Sequence, residues 1–193
     1  MALRAVAFFC AVALYGQTPQ GTAGSPASEP AGLETAWEIA PVLQEMSAHA
    51  GRLLAELERV DVRSWVNKGA SETYLQQWES ARQQAKALAD GAKALAASPE
   101  KLSAGLVVFF RVQALEAMLN SLAEGLRRYQ GADEAQRLIS LSAENGANRD
   151  RFQNYLINLA ADQEQRFQVM DKEAQRCRGL LAAPVPPRTA KKK

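Results

Sequence analysis

Apolar side chains recur at alternating steps of three and four residues through four stretches of this chain, the period at which one face of an α-helix meets its neighbours. The first stretch covers residues 33–60, with Leu33, Trp37, Ala40, Leu43, Met46, Ala50, Leu53, Leu57 and Val60 on one stripe. Pro41 interrupts it. Proline lacks an amide proton and crowds the preceding turn, so residues 33–40 are expected as a separate turn or kinked lead-in, with the main helix starting near Pro41. Residues 61–70 break the period, with Asn67 and Gly69 as turn formers and Ser71 placed to cap the next helix. The second stretch, 72–97, repeats Leu75, Trp78, Ala81, Ala85, Leu88, Ala92 and Leu95, and its alanines allow a neighbouring backbone to approach closely.

Ser98 and Pro99 mark the next boundary, as N-cap and first helical residue of a third helix over 99–129. Its stripe is Leu102, Leu106, Phe109, Val112, Leu115, Leu119, Leu122 and Leu126, and Arg127 and Arg128 before Gly131 suit a helix C-terminus. Residues 106–112 are β-branched and aromatic except for Arg111, a run that would also suit a strand; the helical stripes on both sides decide for helix. Apolar residues around most of its circumference imply deep burial there, because the run exposed would be an aggregation hazard. Asp133 with Gln136 resembles a capping box. From 134 to 182 the stripe reads Leu138, Leu141, Asn145, Asn148, Phe152, Tyr155, Leu159, Gln163, Phe167, Met170, Ala174, Cys177 and Leu181. Opposite charges at Glu124 and Arg128, Asp133 and Arg137, and Asp162 and Arg166 fall four residues apart in the favourable order. Three short connections between four long helices predict an all-α fold, an antiparallel up-down-up-down four-helix bundle with a long C-terminal helix.

The ends of the chain add an address. Arg4, an apolar run at residues 5–15 and the small residues Gly21, Thr22 and Ala23 follow the order of a secretory signal peptide. That run is shorter than the roughly 20 residues of a membrane-spanning helix, and no later stretch reads as apolar for long enough. The expected organisation is a signal peptide at 1–23, a flexible leader rich in Pro, Gly, Ser and Ala at 24–32, a helical domain at 33–183 and a disordered Pro- and Lys-rich tail at 184–193. The mature chain would lie outside the cytoplasm, periplasmic or secreted, without a transmembrane anchor. Cys10 sits inside the apolar run and not after it, which argues against a lipid anchor and leaves Cys177 as the one mature thiol.

Charge removes one class of partner. The chain carries 23 basic and 21 acidic side chains, but Arg188 and Lys191 to Lys193 belong to the last six residues and Arg4 to the signal. The remaining body is net acidic, so a nucleic-acid-binding face is not expected. Chemistry is equally sparse. His49 is the one histidine; its acidic neighbour Glu45 is four residues back, unlike the Glu-x-x-His spacing of di-metal bundles. Haem attachment needs Cys-x-x-Cys-His and zinc sites need clustered Cys and His, so neither metal nor cofactor is expected. A serine nucleophile has no evident base, and carboxylates on amphipathic helices are ordinarily solvated, so the chain reads as a non-enzyme.

Three features remain as candidates. Asn145 and Asn148, with Gly146 and Arg149, interrupt the last stripe. They read as a turn splitting it into 134–144 and 147–182, as a continuous helix whose buried amides fix register, or as a small polar ligand pocket; the stripe keeps phase, which favours continuity. A continuous helix would carry its last 18 or so residues beyond the third helix, leaving Phe167, Met170, Cys177 and Leu181 as an apolar seam. Such a seam is either covered by residues 33–40 and the leader, burying Cys177, or calls for a partner or a second copy, with an interchain Cys177 disulfide as the sharper form. Trp65, outside any stripe, either closes the end of the core or is an exposed loop anchor for another protein. The function expected is an exported protein-interaction or assembly module, self-association included; the alternative is a bundle binding a small ligand at Asn145, Asn148 and Arg149.

Overall fold

The computed structural model describes residues 33–182, and the segments expected as signal, leader and terminal tail lie outside the described residues. Six helices and their turns make up the described residues, with no strand among them: α1 (Ala36–Glu58), α2 (Val62–Asn67), α3 (Thr73–Ala96), α4 (Leu102–Tyr129), α5 (Ala132–Ala143) and α6 (Gly146–Ala182).

Local chemistry sets most of the boundaries, and several differ from expectation. α1 starts at Ala36, not at Pro41. Thr35 precedes it, and Glu38 reaches back to accept from the Thr35 hydroxyl and amide, each at 2.7 Å. Those hydrogen bonds, hydroxyl first, hold the Glu38 carboxyl below its ordinary range. Pro41 stands inside the helix on its exposed side, where the carbonyl that proline leaves without a donor need not be satisfied by the protein. The connection after α1 contains α2, capped by Asp61, whose side chain accepts from the Ser64 amide at 3.2 Å; six residues are too few to register as a period. Gly69 then turns the chain at φ +93°, a conformation that favours glycine. The Ser71 hydroxyl accepts from the Thr73 amide at 3.2 Å at the start of α3. Pro99 is not the first residue of α4: residues 98–101 form a turn closed by the Lys101 amide on the Ser98 carbonyl, and Pro99 is buried in it.

The fourth stretch is not one continuous helix. It breaks at Glu144 and Asn145 between α5 and α6, the turn that Asn-Gly favours. α6 is nonetheless 37 residues long. Of the expected ion pairs, Asp162 meets Arg166 at 2.8 Å, whereas Glu124 pairs with Arg127 and Arg137 with Glu134 and Glu56.

α1 packs on α3, α3 on α4 and α4 on α5, the short α2 lies against α3, and α6 packs on α1 and α4 while α5 touches α1. Numbers rise along one helix as they fall along the next. The Ser47 hydroxyl donates to the Ala89 carbonyl and the Trp78 indole to that of Leu57; Arg111 reaches Ala87 and Ser121 reaches Gln77. Arg149 meets Glu116 and Gln163 meets Glu100, while His49 meets Leu141 and Arg151 meets Glu34. Leu43, Met46, Leu57, Leu88, Leu115, Leu122, Leu138 and Phe152 are fully buried between them. Each such side chain contributes about 1.5–3 kcal/mol by leaving water.

Gly51 tests the helical assignment where packing is silent. It is exposed in the middle of α1 and a β-carbon built there meets nothing within 4 Å. Gly51→Ala is therefore expected to stabilise the fold by about 0.5–1 kcal/mol in urea unfolding. A loss of stability would mean that α1 is not helical at this point.

Candidate interaction site

α6 outruns the rest of the fold. Phe152, Tyr155, Leu156 and Leu159 on its inner face are buried, and Gln163 donates to the Glu100 carbonyl at 3.2 Å in the turn that opens α4. Past that contact every residue from 163 to 181 is exposed while the helix continues to Ala182. At 1.5 Å per residue this tail projects about 28 Å. The seam lies on it: Phe167 is 72% exposed, Met170 70% and Leu181 89%, and Cys177 is a free exposed thiol. Residues 33–40 do not cover it, since Trp37 is itself exposed and Glu34 is engaged with Arg151 further back along α6.

A second apolar area escaped the sequence. The run at 106–112 is not buried all round: Val108 and Val112 face the core, but Leu106, Val107 and Phe110 are exposed, Phe110 at 60%. Of these, Leu106 lines a shallow groove of about 270 Å³ between α4 and α6, together with Ile157, Leu102, Phe109 and Leu156 among others. α4 is also, contrary to expectation, long and apolar enough by length and composition to cross a membrane; its Val108, Leu115, Leu119, Leu122 and Leu126 serve as core. More apolar positions occur on this helix than one buried face can hold, and periodicity alone does not say which stay outside.

The polar candidates do not gather around a ligand-sized space. Asn145 is buried at the helix break with its Oδ1 unpaired, beside a cavity of about 10 Å³ also lined by His49, Glu116 and Ser142. That volume suits one water. Asn148 is half-buried, and Arg149 is spent on Asp150 at 2.9 Å and on Glu116 at 3.1 Å, which together raise its guanidinium pKa. His49 is buried, and its Nε2–H donates to the Leu141 carbonyl at 2.7 Å, supplying a donor where α5 stops. An open depression between α1 and α3 is lined by Glu58, Glu79, Arg82 and Lys86, whose charges are balanced. Among the described residues no three His, Cys, Asp or Glu side chains are grouped to hold a metal.

Trp65 is fully buried, not an exposed anchor. Its ring stacks on Tyr129 at 6.1 Å and meets Tyr74 edge-on at 5.9 Å, and its Nε1–H donates to Gln130 at 3.3 Å. This cluster closes the end of the fold where α1 leads into α3 and α4 into α5, opposite the tail.

No family model matches this chain, and no curated protein or solved structure is significantly similar to it. Function is read from the surfaces themselves. Of these the tail is the most distinct, because it is ordered as helix yet packs on nothing within the described residues.

Proposed function

We propose that this chain is an exported, non-enzymatic, up-down-up-down helical bundle that works as a protein-interaction or assembly module, with the projecting part of α6 as its contact. The antiparallel side-chain pairings between successive helices support the bundle. The signal-like order of residues 1–23 supports export to a periplasmic or secreted location, and those residues lie outside the described ones.

One observation carries the functional reading. A helix that keeps its apolar stripe for nineteen residues after its last neighbour has ended, at 163–181, exposes Phe167, Met170 and Leu181 without gaining any stability for its own bundle. Isolated helices of this length are marginal in water, and a partner that covers the seam supplies the missing burial. Co-purification from the native cell envelope tests it. Proteins or further copies retained by the natural chain are expected to be lost with Phe167→Glu combined with Met170→Glu. Equal recovery with both chains would refute the reading.

A further inference from the structure

The seam continues the face with which α6 packs its own bundle. Stepping on from Phe152, Leu156 and Leu159 by threes and fours reaches Gln163, Phe167, Met170, Ala174, Cys177 and Leu181. The last five alternate as the a and d positions of a coiled coil do. With residues 1–23 removed as the proposed signal peptide, the flanking segments have little to fill such a seam. Residues 24–32 hold only Ala, Pro, Gly, Ser and Glu, and residues 183–193 hold Val185 as their one bulky apolar side chain.

Resting on the reading that the tail is a contact surface, the geometry points to a second copy of this chain as its occupant, with the two tails antiparallel and fully overlapped about a two-fold axis beside Lys172. A parallel pair has charge in its favour, since Arg166 would meet Asp171 and Glu173 would meet Arg178 of the second copy. Sterics outweigh it. Before Gln163 a parallel helix on this face would have to run through α1 and α4, which already occupy it, and exposed ion pairs are small terms beside such overlap. An antiparallel helix meets no such obstacle, because α6 is described to Ala182, level with the start of the second bundle, and Pro184 disfavours its continuation.

Full overlap sets Phe167 against Cys177 and Met170 against Ala174 of the second copy, each twice, and brings Leu181 level with Gln163. Arg178 then faces Glu164 of the other tail, while Asp171 and Glu173 face their own counterparts. Like and opposite pairs offset one another, so burial of the seam drives the contact. Shifting the register by one heptad would pair Arg178 with Asp171 instead but strand Phe167, whose burial counts for more than a surface ion pair. An overlap of nineteen residues from each tail is short for a specific pair, which corresponds to a dimer that forms with rising concentration. The two Cys177 residues stand about 15 Å apart along the axis at 1.5 Å per residue, beyond disulfide reach. The interchain Cys177 disulfide, one alternative that the sequence left open, belongs to the parallel pairing.

Sedimentation equilibrium and non-reducing gels of the mature chain, residues 24–193 with Cys177 as their one thiol, test this. A reversible dimer is expected at micromolar concentration, becoming a monomer with Phe167→Glu and Met170→Glu, both outside the bundle. Under mild oxidation, Phe167→Cys with Cys177 retained is expected to give covalent dimers; the natural chain and Phe167→Cys with Cys177→Ala are expected to give none. Covalent dimers of the natural chain through Cys177 would overturn the antiparallel arrangement. A strict monomer to several hundred micromolar would overturn the second copy as occupant. In that event, co-purification that still depends on Phe167 and Met170 leaves the tail a contact surface for another protein, whereas co-purification independent of them removes both readings.

Discussion

Replacing Trp65 by alanine is expected to destabilise the fold by about 3–5 kcal/mol, the cost of emptying a fully buried aromatic site. The site cannot collapse easily, because Tyr74 and Tyr129 pack against each other at 6.2 Å as well as against the indole. Gly125 on α4 is part of the same arrangement: a β-carbon there would stand 2.7 Å from Cζ3 of Trp65 and 3.0 Å from Tyr74, both rigid rings. The indole also holds Gln130, whose amide and that of Gly131 both donate to the Leu126 carbonyl where α4 ends. Losing Trp65 therefore loosens two chain reversals together. Urea unfolding followed by circular dichroism measures the change. A cost below about 1 kcal/mol, the range of a surface substitution, would mean that Trp65 is not part of the core.

Two phenylalanines on one stripe of one helix should behave as opposites. Phe152→Ala is expected to cost about 3–5 kcal/mol, since the ring is fully buried and lies close to Gly105 and Leu156. Phe167→Ala is expected to change the stability of the monomer, measured below the concentration at which copies associate, by less than about 0.5 kcal/mol, because its ring is exposed and leaves no cavity. Its effect belongs to association, where it removes the largest side chain of the seam. Measuring both substitutions by unfolding and by sedimentation separates the two roles. Equal destabilisation would place Phe167 inside the bundle and remove it from the contact surface.

The same pair of residues shows where the hydrophobic pattern is informative. Leu43, Met46, Leu88, Leu115 and Leu122 can be placed in the core because each repeats with the helical period on a helix that has polar faces. The projection beyond Gln163 is also legible, from the mismatch in length between the last stretch and the third. The period does not distinguish Phe152 from Phe167, because both occupy the same phase and only the end of the neighbouring helices separates them. Pro41 misplaces a boundary because proline is tolerated on an exposed face near a helix start. Phase continuity across Asn145 hides the break, since a turn of two residues leaves the stripe nearly in register. Leu106, Val107 and Phe110 read as buried because α4 holds more apolar residues than its packing uses, and sequence alone does not say which neighbours arrive.

Ending the chain after Gln163 separates a contact surface from a part of the core in one step. If α6 beyond that point serves a partner and not the bundle's own packing, thermal unfolding of the shortened chain should stay within about 2 °C of the full chain when both are dilute enough to be monomeric, since association would itself stabilise the full chain and a shift that small corresponds to under 1 kcal/mol at this size. Concentration-dependent association should disappear with the deletion. A melting temperature lower by about 10 °C or more would show that the tail stabilises the bundle itself and is not a free contact surface.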